Sequence, residues 1–246
     1  MIKAALITAA TVLLLTSTAL AGSPEEEDMA ARRDDMLSAV RASVADSANY
    51  TGYDSLSDEV MAAMGKVPRH EFVLPEQRHN AYLNTPLPIE AGQTISQPLI
   101  VALMTELLEP QAGDVILEVG TGSGYQAAVL AELVAQVYSI EIVETLARSA
   151  AATLKRLDYD NVTVRAGDGY LGWPEHAPFD GVIVTAAADE IPEPLLQQLK
   201  PGARLVIPVG AEHGYQELLV VEIGEDGETQ QRSVLPVRFV PLTGER

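Results

Sequence analysis

Between Val115 and Tyr125 an apolar run, Val115-Ile-Leu-Glu-Val119, passes directly into a turn with glycines at 120, 122 and 124. A turn this tight, with backbone lying close to a ligand, calls for residues without a Cβ. The spacing is G-x-G-x-G, not the G-x-G-x-x-G of the dinucleotide fingerprint. A nucleotide is still implied, but one whose phosphates need not sit on the next helix. Two acids follow at set stations. Glu141 closes the next apolar run about 20 residues past Gly120, where a carboxylate commonly takes a ribose hydroxyl. Asp168, in Gly167-Asp-Gly169, follows the third apolar run, Val162–Ala166.

From Asp114 onward, apolar runs alternate with helical segments. Strands are predicted over 114–119, 136–141, 162–166, 179–185 and 203–208, with helices over 127–133, 143–157 and 194–199. Such alternation means a parallel sheet covered on both faces. The rhythm then changes: runs 216–223 and 230–240, joined by Gly224-Glu-Asp-Gly227, predict an antiparallel hairpin with an Asp-Gly turn. The expected fold is therefore α/β and Rossmann-like, a mostly parallel sheet ending in a C-terminal antiparallel hairpin. That is the arrangement of S-adenosylmethionine-dependent methyltransferases rather than dehydrogenases. Glycine loop, Glu141 and Asp168 together read as an S-adenosyl-L-methionine pocket.

Charge narrows the partners. The chain has 35 acidic and 16 basic residues and a formal charge of −19, which argues against nucleic acid, whose phosphates reward basic surface. With no cysteine, neither a disulfide framework nor a thiolate metal site is possible. The four histidines, at 70, 79, 176 and 213, lack metal-ligand spacing, so no metal is expected.

Residues 1–21 carry Lys3, an apolar stretch from Ala4 to Leu15 and Ala19-Leu-Ala21. This composes a secretory signal cleaved after Ala21, with an uncleaved anchor as the rival reading. The expectation is an exported, periplasmic protein with no stable membrane association after cleavage. Residues 22–54 read as an acidic linker and an N-terminal helical extension, helical over 25–46 with a loop at 49–54. Residues 55–246 read as the catalytic domain. Within it, 57–64 and 98–108 are predicted helices, while 66–98 has little periodicity; so long an irregular stretch is usually functional.

That irregular stretch contains Val67-Pro-Arg-His-Glu-Phe-Val73, Ala81-Tyr-Leu-Asn-Thr-Pro-Leu-Pro-Ile89 and Gly92-Gln-Thr-Ile-Ser-Gln-Pro98. With Glu118–Gln126, Gly167-Asp-Gly169, Leu205–Gly210 and Val237-Arg-Phe-Val-Pro241, it resembles the protein-L-isoaspartate O-methyltransferase family over about residues 55–242. Thr-Ile-Ser-Gln-Pro is the specific block. The resemblance implies transfer of a methyl group from S-adenosylmethionine to the α-carboxylate of L-isoaspartyl residues in damaged proteins. The ester then collapses to a succinimide, which reopens partly to aspartate. Family members are more usually cytoplasmic, and a monomer is expected.

On this resemblance Ser96 is the candidate catalytic residue, and Thr94, Ile95 and Gln97 are substrate-binding. Glu118, Gly120, Gly122, Gly124, Glu141, Asp168 and Gly169 are cofactor-binding, with Glu141 on the ribose and Asp168 toward the adenine amino group. Plainer roles compete: Thr94 and Ser96 also suit a helix cap, Asp168 a turn, and Trp173 a packing role rather than a cover for adenine. Two other functions stay open, a methyltransferase of small-molecule carboxylates and a non-catalytic exported binder.

Overall fold

The computed structural model describes residues 24–211 and 214–245, so the signal segment 1–21 lies outside the described residues. The N-terminal part supplies α1 (Pro24–Thr51), α2 (Asp58–Lys66), the two-residue pair β1 (Leu87–Pro88) and β2 (Thr94–Ile95), and α3 (Pro98–Leu108). The alternating part follows as β3 (Val115–Val119), α4 (Tyr125–Ala131), β4 (Gln136–Glu141), α5 (Glu144–Arg156), β5 (Val162–Ala166), β6 (Phe179–Val184), α6 (Glu193–Leu196) and β7 (Leu199–Gly210). The hairpin is β8 (Gln216–Ile223) and β9 (Thr229–Val237).

One seven-stranded sheet runs in the order β5-β4-β3-β6-β7-β8-β9. The pairs β5/β4, β4/β3, β3/β6 and β6/β7 are parallel, whereas β7/β8 and β8/β9 are antiparallel. The α/β fold with its C-terminal hairpin is thus as expected. Alternate strand residues enter opposite cores, because side chains in a strand switch faces with period two. Ile116, Ile183, Val206, Leu218 and Val220 face the core under the long helices. Leu117, Val119, Val182, Val184, Leu205, Ile207 and Val221 face a second core, closed by α6 and the turns after β5.

Several boundaries differ from the sequence reading. Residues 24–28 belong to α1 rather than to a linker, and α1 continues through the expected 49–54 loop to Thr51. Its Met36, Val40 and Val44, four apart, are buried in the same core as α3, so the N-terminal extension is part of the packed body. α4 starts at Tyr125, because left-handed Gly124 (φ 89°) serves as its N-cap. α6 shrinks to Glu193–Leu196, and β7 extends to both sides of 203–208 because it has a partner on each edge. β9 stops at Val237, where pairing to Gln216 ends.

Candidate active site

The C-terminal ends of four adjacent parallel strands open onto one cavity: Gly169 after β5, Glu141 and Ile142 at β4, Gly120 to Ser123 after β3, and Thr185 after β6. Ligands in open α/β sheets bind at this end. Thr94, Ile95 and Ser96 close the cavity from the irregular segment.

Gly120, Gly122 and Gly124 have φ of 98°, 52° and 89°, the left-handed region that favours glycine. At Gly120 there is a second reason: a Cβ would sit 2.4 Å from Thr185 Oγ1. Thr185 Oγ1 donates to the Gly120 and Val119 carbonyls, locking the loop to β6. Glu141 is buried, and its oxygens accept from Gly122 N (2.8 Å) and Val143 N (2.9 Å). Each carboxylate oxygen has a further lone pair, so Glu141 retains acceptors for ligand hydroxyls. Glycines that bring bare backbone to the wall, beside an acid with spare acceptors, fit the adenosine and methionine parts of S-adenosylmethionine.

Two proposed cofactor contacts lie elsewhere. Glu118 is fully buried behind the wall and does not line the cavity. Its Oε2 accepts from Ser139 Oγ, which also shares a 2.5 Å hydrogen bond with Thr121 Oγ1. Burial, aided by the charge of Glu141 and opposed by the Ser139 hydroxyl, pushes its pKa up to about 8. Its Oε1 is buried without a hydrogen-bond partner. Asp168 likewise stands off the wall: Oδ1 accepts from Tyr170 N (2.9 Å) and Oδ2 from Glu245 N (2.6 Å). It caps the turn after β5 and anchors the C-terminal segment, while Gly169 alone of that trio lines the cavity. Trp173 packs edge-on to Tyr138 and under Arg165, so the packing role holds.

Ser96 is half-buried and lines both the cavity and an adjoining groove, as does Thr94. Ile95 is buried on the cavity wall, and Gln97 lines only the groove. The helix-cap alternative for Thr94 and Ser96 fails, since α3 has no side-chain cap at its N-cap Gln97. Asn84 instead reaches across, its Oδ1 accepting from Leu99 N (3.0 Å) and its carbonyl from Gln97 Nε2 (3.1 Å). Ser96 Oγ is thereby left for the site.

Arg69 escaped the sequence reading. It is fully buried, donates from Nη2 to the Ser96 carbonyl (2.7 Å) and from Nε to the Ala81 carbonyl (2.8 Å). Its guanidinium lies 4.6 Å from the Tyr125 ring centroid, so one cation ties the Ser96 loop to the first residue of α4. Burial lowers its pKa to about 10, which still leaves it charged at neutral pH. An arginine between Pro68 and His70 in an irregular segment carries no periodicity that would mark it as buried.

Fold and cavity together define a Rossmann-like, S-adenosylmethionine-dependent methyltransferase. Within that class, residues 46–246 match the profile described as Protein-L-isoaspartate(D-aspartate) O-methyltransferase. A protein-L-isoaspartate O-methyltransferase of Syntrophobacter fumaroxidans is 55% identical over 235 residues, covering 95% of each chain. One from a Polaromonas species is 57% identical over 211 residues, 86% of this chain and 100% of its own. Among solved structures, a protein-L-isoaspartate O-methyltransferase superposes with TM-score 0.74 at 29% identity, covering 86% of this chain and 66% of the other. A Plasmodium falciparum structure described as the same enzyme, in complex with S-adenosyl-L-homocysteine, gives 0.71 at 26% identity, covering 86% and 98%. The chain belongs to the protein-L-isoaspartate O-methyltransferase family.

Proposed function

We propose that this chain is an exported, monomeric enzyme that methylates the α-carboxylate of L-isoaspartyl residues in damaged proteins. In this reading Ser96 contacts the substrate carboxylate, and Gly120, Gly122, Glu141 and Gly169 contact the cofactor. The observation that supports it most is the placement of Ser96 and Thr94 on the wall shared by the cavity and the groove. A nucleotide cofactor in one and an extended peptide in the other would meet at this loop.

S-Adenosylmethionine, when bound, supplies a methyl group on a cationic sulfonium. The substrate carboxylate is already ionised at neutral pH, so the chain needs no strong base and no Ser-His-Asp arrangement. Its task is to align and to exclude water. Ser96 Oγ, free of the helix cap, donates to the carboxylate. Arg69 holds the Ser96 carbonyl from behind, so that the hydroxyl keeps its place. Glu141 accepts the ribose hydroxyls on the lone pairs that Gly122 N and Val143 N leave free. Buried Ile95 and exposed Ile142 give the cavity apolar wall.

The test is methyl transfer from labelled S-adenosylmethionine to paired isoaspartyl and aspartyl peptides of one sequence. Label on the isoaspartyl peptide alone is expected; label on free small acids instead would replace this reading. Export is tested by fractionating cells that express the full chain and sequencing the mature N-terminus. Recovery in the cytoplasm with residues 1–21 intact would reject it, and sedimentation of residues 22–246 reports the oligomeric state.

A further inference from the structure

The groove beside Ser96 has a charge unlike the rest of the chain. Its walls come from Thr94 to Ile100 on one side and Leu235 to Val240 on the other, with Leu99, Ile100 and Phe239 as apolar surface. Among the described residues Arg238 is the sole charged one on those walls, and no acid lines them. Arg238 is exposed and makes no hydrogen bond or ion pair. Among the described lysines and arginines only the side chains of Arg41, Lys155 and Arg232 share that condition, and none of them lines the groove.

The backbone next to Arg238 is held. Buried Gln216 accepts from Phe239 N (2.7 Å) and donates to the Phe239 carbonyl (3.3 Å), and Ala187 N donates to Val240 O (2.8 Å). The backbone that carries the arginine is therefore held beside the Ser96 loop. It does not line the cofactor cavity, whereas Val240 and Pro241 do. A carboxylate at Arg238 is thus a different one from the carboxylate that reacts.

We propose that Arg238 is a specificity-determining residue that pairs with an acidic side chain flanking the isoaspartyl residue of a bound peptide. This rests on the isoaspartyl reading above. A planar guanidinium on a held backbone suits a carboxylate, which it can grip with two parallel hydrogen bonds. The preference runs against the whole-molecule field: a charge of −19 repels acidic peptides at long range. Salt separates the two effects, since distant charges are screened beyond about 8 Å at physiological ionic strength while a direct pair persists longer.

The experiment compares kcat/KM for isoaspartyl peptides of one sequence bearing Glu, Gln or Lys on either flank. The enzymes are the unsubstituted chain, Arg238→Gln and Arg238→Glu, each at low and physiological salt. Arg238 is exposed, so neither substitution threatens the fold, and calorimetry with S-adenosylhomocysteine reports that each variant retains its cofactor site. The unsubstituted chain should favour Glu over Gln on one flank by about two- to fivefold at physiological salt, the range of a solvent-accessible pair. Arg238→Gln should abolish that ratio and Arg238→Glu should invert it toward Lys. One ratio in all three enzymes overturns the proposal. Failure of the unsubstituted chain to methylate any isoaspartyl peptide overturns the activity beneath it, and the two failures are distinct.

Discussion

Ser96 and Glu118 show how polar residues separate into surface and interior roles. Ser96 keeps an uncommitted hydroxyl because Asn84 caps α3 in its stead. Ser96→Ala should lower kcat on isoaspartyl peptide by about tenfold, as for one lost hydrogen bond to a charged group, while cofactor affinity measured by calorimetry stays within twofold. The reverse pattern would place Ser96 in the cofactor site. Glu118 has a raised pKa, about 8 against 4.5, so the folded chain holds a proton that the unfolded chain has released. Its stabilising effect is full below about 4.5 and is lost as pH rises to about 8. Melting temperature should fall between about pH 5 and 8, and Glu118→Gln, neutral throughout, should flatten that fall. An equal slope in both proteins would show that Glu118 is ionised when folded. Gly120→Ala should cost about 1–3 kcal/mol and abolish cofactor binding, because left-handed backbone and Thr185 both oppose a Cβ.

At the scale of elements, the irregular segment between α2 and α3 is braced from two sides. From α1, Arg33 donates to the Gly65 carbonyl and Tyr82 hydroxyl, Arg32 to the His79 carbonyl, and Ser43 Oγ accepts from Asn84. From within, Arg69 bridges Ala81, Ser96 and the Tyr125 ring. Arg69→Lys retains charge but loses the fork, so kcat should drop more than the cofactor dissociation constant rises. Proportional losses in both would mean that Arg69 serves stability alone. Asn84→Ala should cost about 1 kcal/mol in denaturant unfolding, the usual worth of a helix cap. The helices that flank this segment follow from apolar periodicity and were readable in the sequence, whereas the two-residue strands β1 and β2 were not. The braces were not, because each joins residues 12 to 56 apart through a side chain whose neighbours in sequence are unremarkable.

Across the whole molecule, a formal charge of −19 is spread over a body that includes α1, and like charges oppose compaction. Raising sodium chloride from about 10 mM to about 300 mM should therefore raise the melting temperature, a shift that differential scanning calorimetry would detect. A flat response would mean that the local pairs, such as Arg204 with Glu109 and Glu222, already balance the field.

The sequence by itself determined the alternation that makes a parallel sheet, the terminal hairpin, the glycine loop with Glu141, and the Ser96 block. Each is local: a period, a turn or a spacing within about 20 residues. Tertiary structure alone decided which acids reach the cavity. Gly-Asp-Gly and Glu-Val-Gly read alike as ligand motifs, yet Asp168 turns to backbone amides at Tyr170 and Glu245, and Glu118 turns to Ser139. The direction of a side chain depends on which face of the strand it occupies and on donors brought from distant elements. Neither is set before the sheet assembles.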